Sequence, residues 1–158
     1  MTDKTKPAID ATSVESRVGS GYPAPFDADC ATRQKRRLGD AFGLTQFGVN
    51  LLRLPPGQWS AQRHWHHRED ELVYVLQGEV MLVTDAGEQI LRPGMVAGFK
   101  AGVEDGHHLV NRSDKDAVVL EVGTRDAREE ADYSDIDMLV RLDENGKDRF
   151  VHKDGTPY

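Results

Sequence analysis

Apolar and polar residues along this chain alternate in short runs, with no sustained helical spacing. Phe47, Val49 and Leu51 lie two apart, and Pro55-Pro56-Gly57 stops that run. Period-two alternation between turn residues is the pattern of β-strands, because successive side chains of a strand point to opposite faces. The same reading places strands at Trp59–His66, Leu72–Leu76, Val80–Thr84, Gln89–Arg92, Met95–Phe99, His107–Arg112 and Val118–Val122. Gly, Pro and Asp clusters separate them at intervals near ten residues, which predicts an antiparallel sandwich or barrel. Beyond it, Thr124–Tyr133 reads as a loop or one helical turn. Asp137–Leu142 and Arg149–His152 flank Asp143-Glu144-Asn145-Gly146, a hairpin signal because Asn-Gly accepts the positive φ of a tight turn.

Length and composition narrow this picture. At 158 residues, one domain is expected, with 1–20 a flexible arm because large apolar groups are scarce there. The domain would span 21–158, with its core barrel at about 45–123 and a C-terminal hairpin at about 133–152. Hydrophobic residues make up 38% and charged residues 30%, with mean hydropathy −0.58. Apolar runs fall far short of the ~20 residues of a membrane-spanning helix, and the first residues lack the apolar segment of a signal peptide. A lone cysteine, Cys30, fits a reducing cytoplasm. The net charge of −7 disfavours binding to nucleic acid or anionic membranes. The exception is Arg33-Gln34-Lys35-Arg36-Arg37. It reads as a solvated loop or a partner for the acidic remainder in preference to a phosphate or nucleic-acid contact.

The candidate chemistry lies in the histidines. Five of the six fall in two clusters, His64, His66, His67 and His107, His108, and Glu71 follows the first cluster. His64 and His66 share a strand face about 6.7 Å apart, close enough to lean toward one ion. Glu71 is expected beside that strand after an antiparallel return, and His107 from across the barrel. Three imidazoles and a carboxylate suit one divalent Fe, Mn, Co, Ni, Cu or Zn ion per chain, and suit Ca or Mg poorly. His67 and His108 would face the other way, in supporting or surface roles, and His152 is expected at the surface.

The residues around these ligands resemble the two motifs of the cupin family. Gly57-(six residues)-His64-Trp65-His66-(four residues)-Glu71-(six residues)-Gly78 is similar to the first, with one extra residue before His64. Gly94-(five residues)-Lys100-Ala101-Gly102-(four residues)-His107-(three residues)-Asn111 is similar to the second. It has Lys100 where proline is common and two extra residues before His107. The resemblance covers about Thr45 to Gly123. It implies an all-β jelly roll, an antiparallel double-stranded β-helix with N- and C-terminal extensions. It also implies metal held by His64, His66, Glu71 and His107, and a homodimer.

Counting alternate positions from the ligands gives an inward set of Ser60, Gln62, Val73, Val75, Leu109 and Asn111. Of these, Gln62, Val73, Leu109 and Asn111 are the expected substrate pocket. Such a wall is mainly neutral, and only Tyr74, Glu69 or His108 could supply an acid or base if turned inward. The resulting expectation is a metalloenzyme acting on a small polar metabolite, such as a carboxylate, an enol or diketone, or a sugar-like molecule. Dioxygenase, decarboxylase and isomerase chemistries all occur in the family. The alternative is a non-catalytic module that binds or senses metal and a small ligand.

Overall fold

A computed structural model describes residues 7–158 of the chain. Its strands in chain order are β1 (Ser16–Val18), β2 (Gln34–Arg37), β3 (Phe47–Leu54), β4 (His64–His66), β5 (Glu71–Gln77) and β6 (Val80–Thr84). They continue as β7 (Gly87–Leu91), β8 (Val96–Phe99), β9 (His108–Val110), β10 (Ala117–Thr124), β11 (Ala131–Tyr133), β12 (Leu139–Leu142) and β13 (Asp148–Val151). One helical turn, α1 (Leu38–Ala41), joins β2 to β3.

One layer is a six-stranded sheet in the order β1-β2-β3-β10-β5-β8. The other is built from β7-β6-β9 and β13-β12-β11-β4, whose ends are stitched by bridges between His64 and His107 and between Trp59 and Val110. Pairing within the sheets is antiparallel. From β3 to β11 the chain changes layer at every step except β6 to β7, and this alternation is the jelly-roll arrangement.

Strand alternation explains the core. Leu52, Leu54, Val73, Val75 and Val119 project from the six-stranded sheet onto Val80, Leu82, Leu91 and Leu109 of the facing strands, and all are buried. The residues between them, Leu72, Tyr74 and Leu76, lie on the outer face and are exposed. At Gly78 the chain turns with φ 75°, and a Cβ there would stand 2.5 Å from the Asp116 carbonyl oxygen, so only glycine fits.

Several expected elements differ. Residues 1–6 of the expected arm lie outside the described residues, but Ser16–Val18 pairs with β2 and extends the sheet. The strand expected over Trp59–His66 is regular only at His64–His66. Its first part is drawn aside by Trp59 N donating to Asp29 O at 2.8 Å and Ser60 N to Leu109 O at 2.8 Å. Residues 131–133, expected in a loop or helical turn, form β11 between β4 and β12. The C-terminal hairpin therefore continues the sheet that carries His64 and His66. The basic run is a strand, β2, with Lys35 opposite Leu52 and Arg37 opposite Asn50 on the inward face.

Candidate metal centre

Four side chains converge at one end of the barrel. His64 and His66 come from β4, and His107 lies beside His64. His107 N donates to His64 O at 2.9 Å, and His64 N to His107 O at 3.3 Å. Glu71 opens β5 in the opposite layer. This reverses the sequence-based expectation, in which Glu71 was the neighbour and His107 the residue from across the barrel. β4 pairs with β11 and not with β5, because the chain crosses between layers at residues 67–70.

His64, His66, Glu71 and His107 each place a ligating atom within 4.8 Å of the others. His64 Nε2 is 3.0 Å from His66 Nε2. Glu71 Oε2 is 3.3 Å from His66 Nε2 and 3.2 Å from His107 Nε2. With metal–ligand bonds of about 2.1 Å, ligands at right angles stand ~3.0 Å apart, close to these separations. The hydrogen-bond partners sharpen the point. His64 Nδ1 lies 2.8 Å from Gln62 O, which can only accept, so that nitrogen carries the proton. His66 Nδ1 faces Glu129 Oε1 at 3.3 Å and donates to it in the same way. The two Nε2 atoms then face each other at 3.0 Å with Glu71 Oε2 beside them, so a proton on His66 or a cation must lie between these groups. The residues therefore fit a metal ion.

The electrostatics agree. Burial, reinforced by the charge of His66, drives the His64 pKa down to about 3, so this imidazole is neutral as a ligand must be. Burial also opposes charge on His66, but the Glu71 hydrogen bond and the Glu71 and Glu129 charges outweigh it and raise its pKa. Burial pushes Glu71 up, but hydrogen bonds with His107 and His66 hold it well below the usual carboxylate range. His107 is buried and stacks on Phe99 with ring centroids 3.6 Å apart, which sets the plane of its ring.

The other histidines do different work. His67 stacks on Trp65 and lies 3.0 Å from Asp132 Oδ1. His108 faces away from His107 as alternation requires, yet it is buried. It packs edge-on to Trp59, with Nδ1 3.0 Å from Ala61 O. His152 pairs with Asp137 at 2.9 Å and stacks on Tyr158.

A cavity of about 370 Å³ opens over the cluster. Val73 and Leu109 line it, but Gln62 and Asn111 are committed elsewhere. Gln62 Nε2 donates to Phe26 O at 2.9 Å, and Asn111 Nδ2 donates at 2.7 Å to both Leu54 O and Lys115 O. Nor is the wall neutral. Arg33, Lys35 and Arg37 reach it from β2 and the residue before it, Glu121 from β10, and Arg125 and Glu69 from loops. Lys35 Nζ is 2.9 Å from Glu121 Oε2. Of the three acid–base candidates, Tyr74 points outward, His108 is tied to Ala61, and Glu69 faces the cavity with its pKa raised by burial. The missed residues had a signal in the sequence. Positions 33, 35 and 37 alternate, so a strand there presents three cations on one face. Glu129 had none, because its reach to His66 depends on where β11 lies.

Comparison with known proteins accords with this geometry. Residues 50–123 match the cupin domain family. A structure from Silicibacter pomeroyi, described as a sugar phosphate isomerase from a cupin superfamily, is 49% identical. Coverage is 96% of each chain, with a TM-score of 0.91. The chain belongs to the cupin superfamily. A structure from Acidithiobacillus ferrooxidans, provisionally named sugar phosphate isomerase, is 30% identical over 81% of each chain, with a TM-score of 0.72. The polyketide cyclase RemF of Streptomyces resistomycificus shares the fold at 21% identity, covering 75% of this chain and 79% of its own, with a TM-score of 0.61. No curated protein sequence matches this cupin. Among its described residues, no helix is long and apolar enough to cross a membrane.

Proposed function

We propose that this cupin is a metal-dependent isomerase of small hydroxylated, sugar-like substrates. His64, His66, Glu71 and His107 would hold one divalent transition-metal ion. Such an ion, when bound, polarises carbonyl and hydroxyl oxygens of a substrate. The observation that carries the reading is the convergence of the His64, His66 and His107 rings and the Glu71 carboxylate, with the two Nε2 atoms of His64 and His66 3.0 Å apart, beside a cavity large enough for a small metabolite. The names borne by the Silicibacter and Acidithiobacillus structures support isomerisation over the other cupin chemistries.

Aldose–ketose isomerisation moves a proton between adjacent carbons and another between their oxygens, with no oxidant or reductant. Glu69 is the group suited to the carbon-bound proton. It faces the cavity, and its raised pKa brings it nearer the value a proton shuttle needs at neutral pH. Asp126 N donates to its Oε1 at 2.9 Å and holds it in place. Gly48 and Gly123, in register with each other and beside Glu71, line the cavity, and their lack of a side chain lets the Arg125 guanidinium and the Asp70 carbonyl approach the sheet there. The homodimer is part of this proposal, with Leu72, Tyr74, Leu76 and Val96 on the outer sheet face as its contact.

The test is metal analysis followed by proton exchange in D₂O. Protein loaded with Zn, Mn, Fe, Co or Ni is incubated with aldoses, ketoses and their phosphates, and deuterium at the carbons beside the carbonyl is followed by NMR. Exchange that depends on metal and is lost in E69Q, with metal content unchanged, supports the assignment. Metal-loaded protein that catalyses no exchange, yet melts at higher temperature with ligand, would favour the non-catalytic binding module.

A further inference from the structure

We infer that Arg33, Lys35 and Arg37 form a subsite for a phosphate monoester, so that the substrate of the cavity carries a phosphate remote from the reacting carbons. The inference rests on reading this cavity as the substrate site. Lys35 and Arg37 on one face of β2, and Arg33 just before it, line the same space as the rings of His64, His66 and His107 and the Glu71 carboxylate, a juxtaposition set by the register of β2 on β3.

Their charge is not consumed by neighbouring acids. Among the described residues, Arg33 has no carboxylate partner. Its guanidinium is braced by carbonyls, with Nε donating to Gly19 O at 3.1 Å and Nη1 to Ser60 O. Lys35 shares its charge with Glu121. Arg37 lies 3.7 Å from Asp40, which is also claimed by Arg125, another residue of the wall. Among the described residues these four cations are paired with only two carboxylates, Glu121 and Asp40, so positive charge is in excess locally, although Glu69, Asp70 and Glu71 also line the cavity. A phosphate monoester carries about −1.5 to −2 at neutral pH and offers oxygens that match guanidinium donors.

Position sets the length of the substrate. The sheet order runs β2-β3-β10-β5, so β2 lies three strands from the strand that carries Glu71. At ~4.8 Å per strand that is about 14 Å between backbones. Arginine and lysine side chains span part of this distance, which leaves room for a short carbon chain. Glu69 and Asp70 lie on the histidine side of the cavity, so an anionic end avoids them by lying against β2.

The experiment is calorimetric titration of chelator-stripped, full-length protein with three probes sharing a three-carbon skeleton: glycerol 3-phosphate, glycerate and glycerol. Glycerol 3-phosphate is expected to bind tightest, with an affinity that falls as salt rises. R37Q, at a half-exposed position, is expected to weaken it at least about tenfold and leave glycerol unaffected. K35Q/E121Q removes one charge of each sign and should weaken it less. Equal affinity for all three probes, or an unchanged R37Q, overturns the subsite. Glycerate binding as tightly as the phosphate overturns the assignment of phosphate. Phosphate binding without any metal uptake would sustain this inference while removing the metalloenzyme reading. Metal-dependent exchange on neutral sugars alone would do the reverse.

Discussion

Replacing Glu129 by alanine tests whether the proposed metal centre depends on a residue outside its four-ligand set. Its Oε1 accepts from His66 Nδ1 at 3.3 Å and from His67 N at 3.0 Å, while Oε2 accepts from Arg68 N at 2.9 Å. The two backbone amides fix the carboxylate, and the carboxylate fixes the tautomer and plane of His66. Outer carboxylates of this kind are worth ~10–100-fold in metal affinity. The contact here is at the long end for an N–H···O bond, so the expected loss in E129A is about tenfold, or ~1.4 kcal/mol. E129Q keeps an acceptor for His66 but loses the charge. Charge-assisted bonds are roughly twice as strong as neutral ones, so about half that free energy, roughly threefold, should be lost. Zinc affinity would be measured by competition with a chromophoric chelator. Melting of the metal-free variants would report separately on the loop at 67–68. A loss confined to stability, or E129A affinity equal to wild type, would refute the argument that the carboxylate orients His66.

Three further outcomes are expected. In chelator-stripped protein, stability should fall as pH drops from the ordinary imidazole value of ~6.5 toward 3, because the unfolded chain takes up a proton that His64, held near about 3, refuses. Glu71, held low, adds to that loss below the usual carboxylate range, whereas His66, held high, favours the fold at low pH and loses its contribution as pH rises through its folded value. Melting temperature against pH should therefore flatten in H64N; an unchanged profile would discount the burial of His64. Asn111→Ala should cost about 2–3 kcal/mol in denaturant melts while metal content holds, since it removes a fully buried side chain and its hydrogen bonds to the Leu54 and Lys115 carbonyls. H66A should abolish metal binding measured by elemental analysis and H67A should spare it; equal losses would mean that His67 also turns inward.

Much of this protein was legible from residue order alone. Period-two alternation and turn residues located the strands, and the spacing of His64, His66, Glu71 and His107 marked side chains that meet within 4.8 Å. Both signals are local, because a strand's faces follow from its own backbone. Which strand lies beside which is not local. The crossing after β4 put Glu71 in the opposite layer and His107 beside His64, so the same four residues meet by a different route. Pairing also turned a run of basic residues into one wall of the cavity, brought Glu129 under His66 through β11, and drew Gln62 and Asn111 into backbone bonds. Those outcomes depend on hydrogen bonds between segments tens of residues apart, and only the folded chain supplies them.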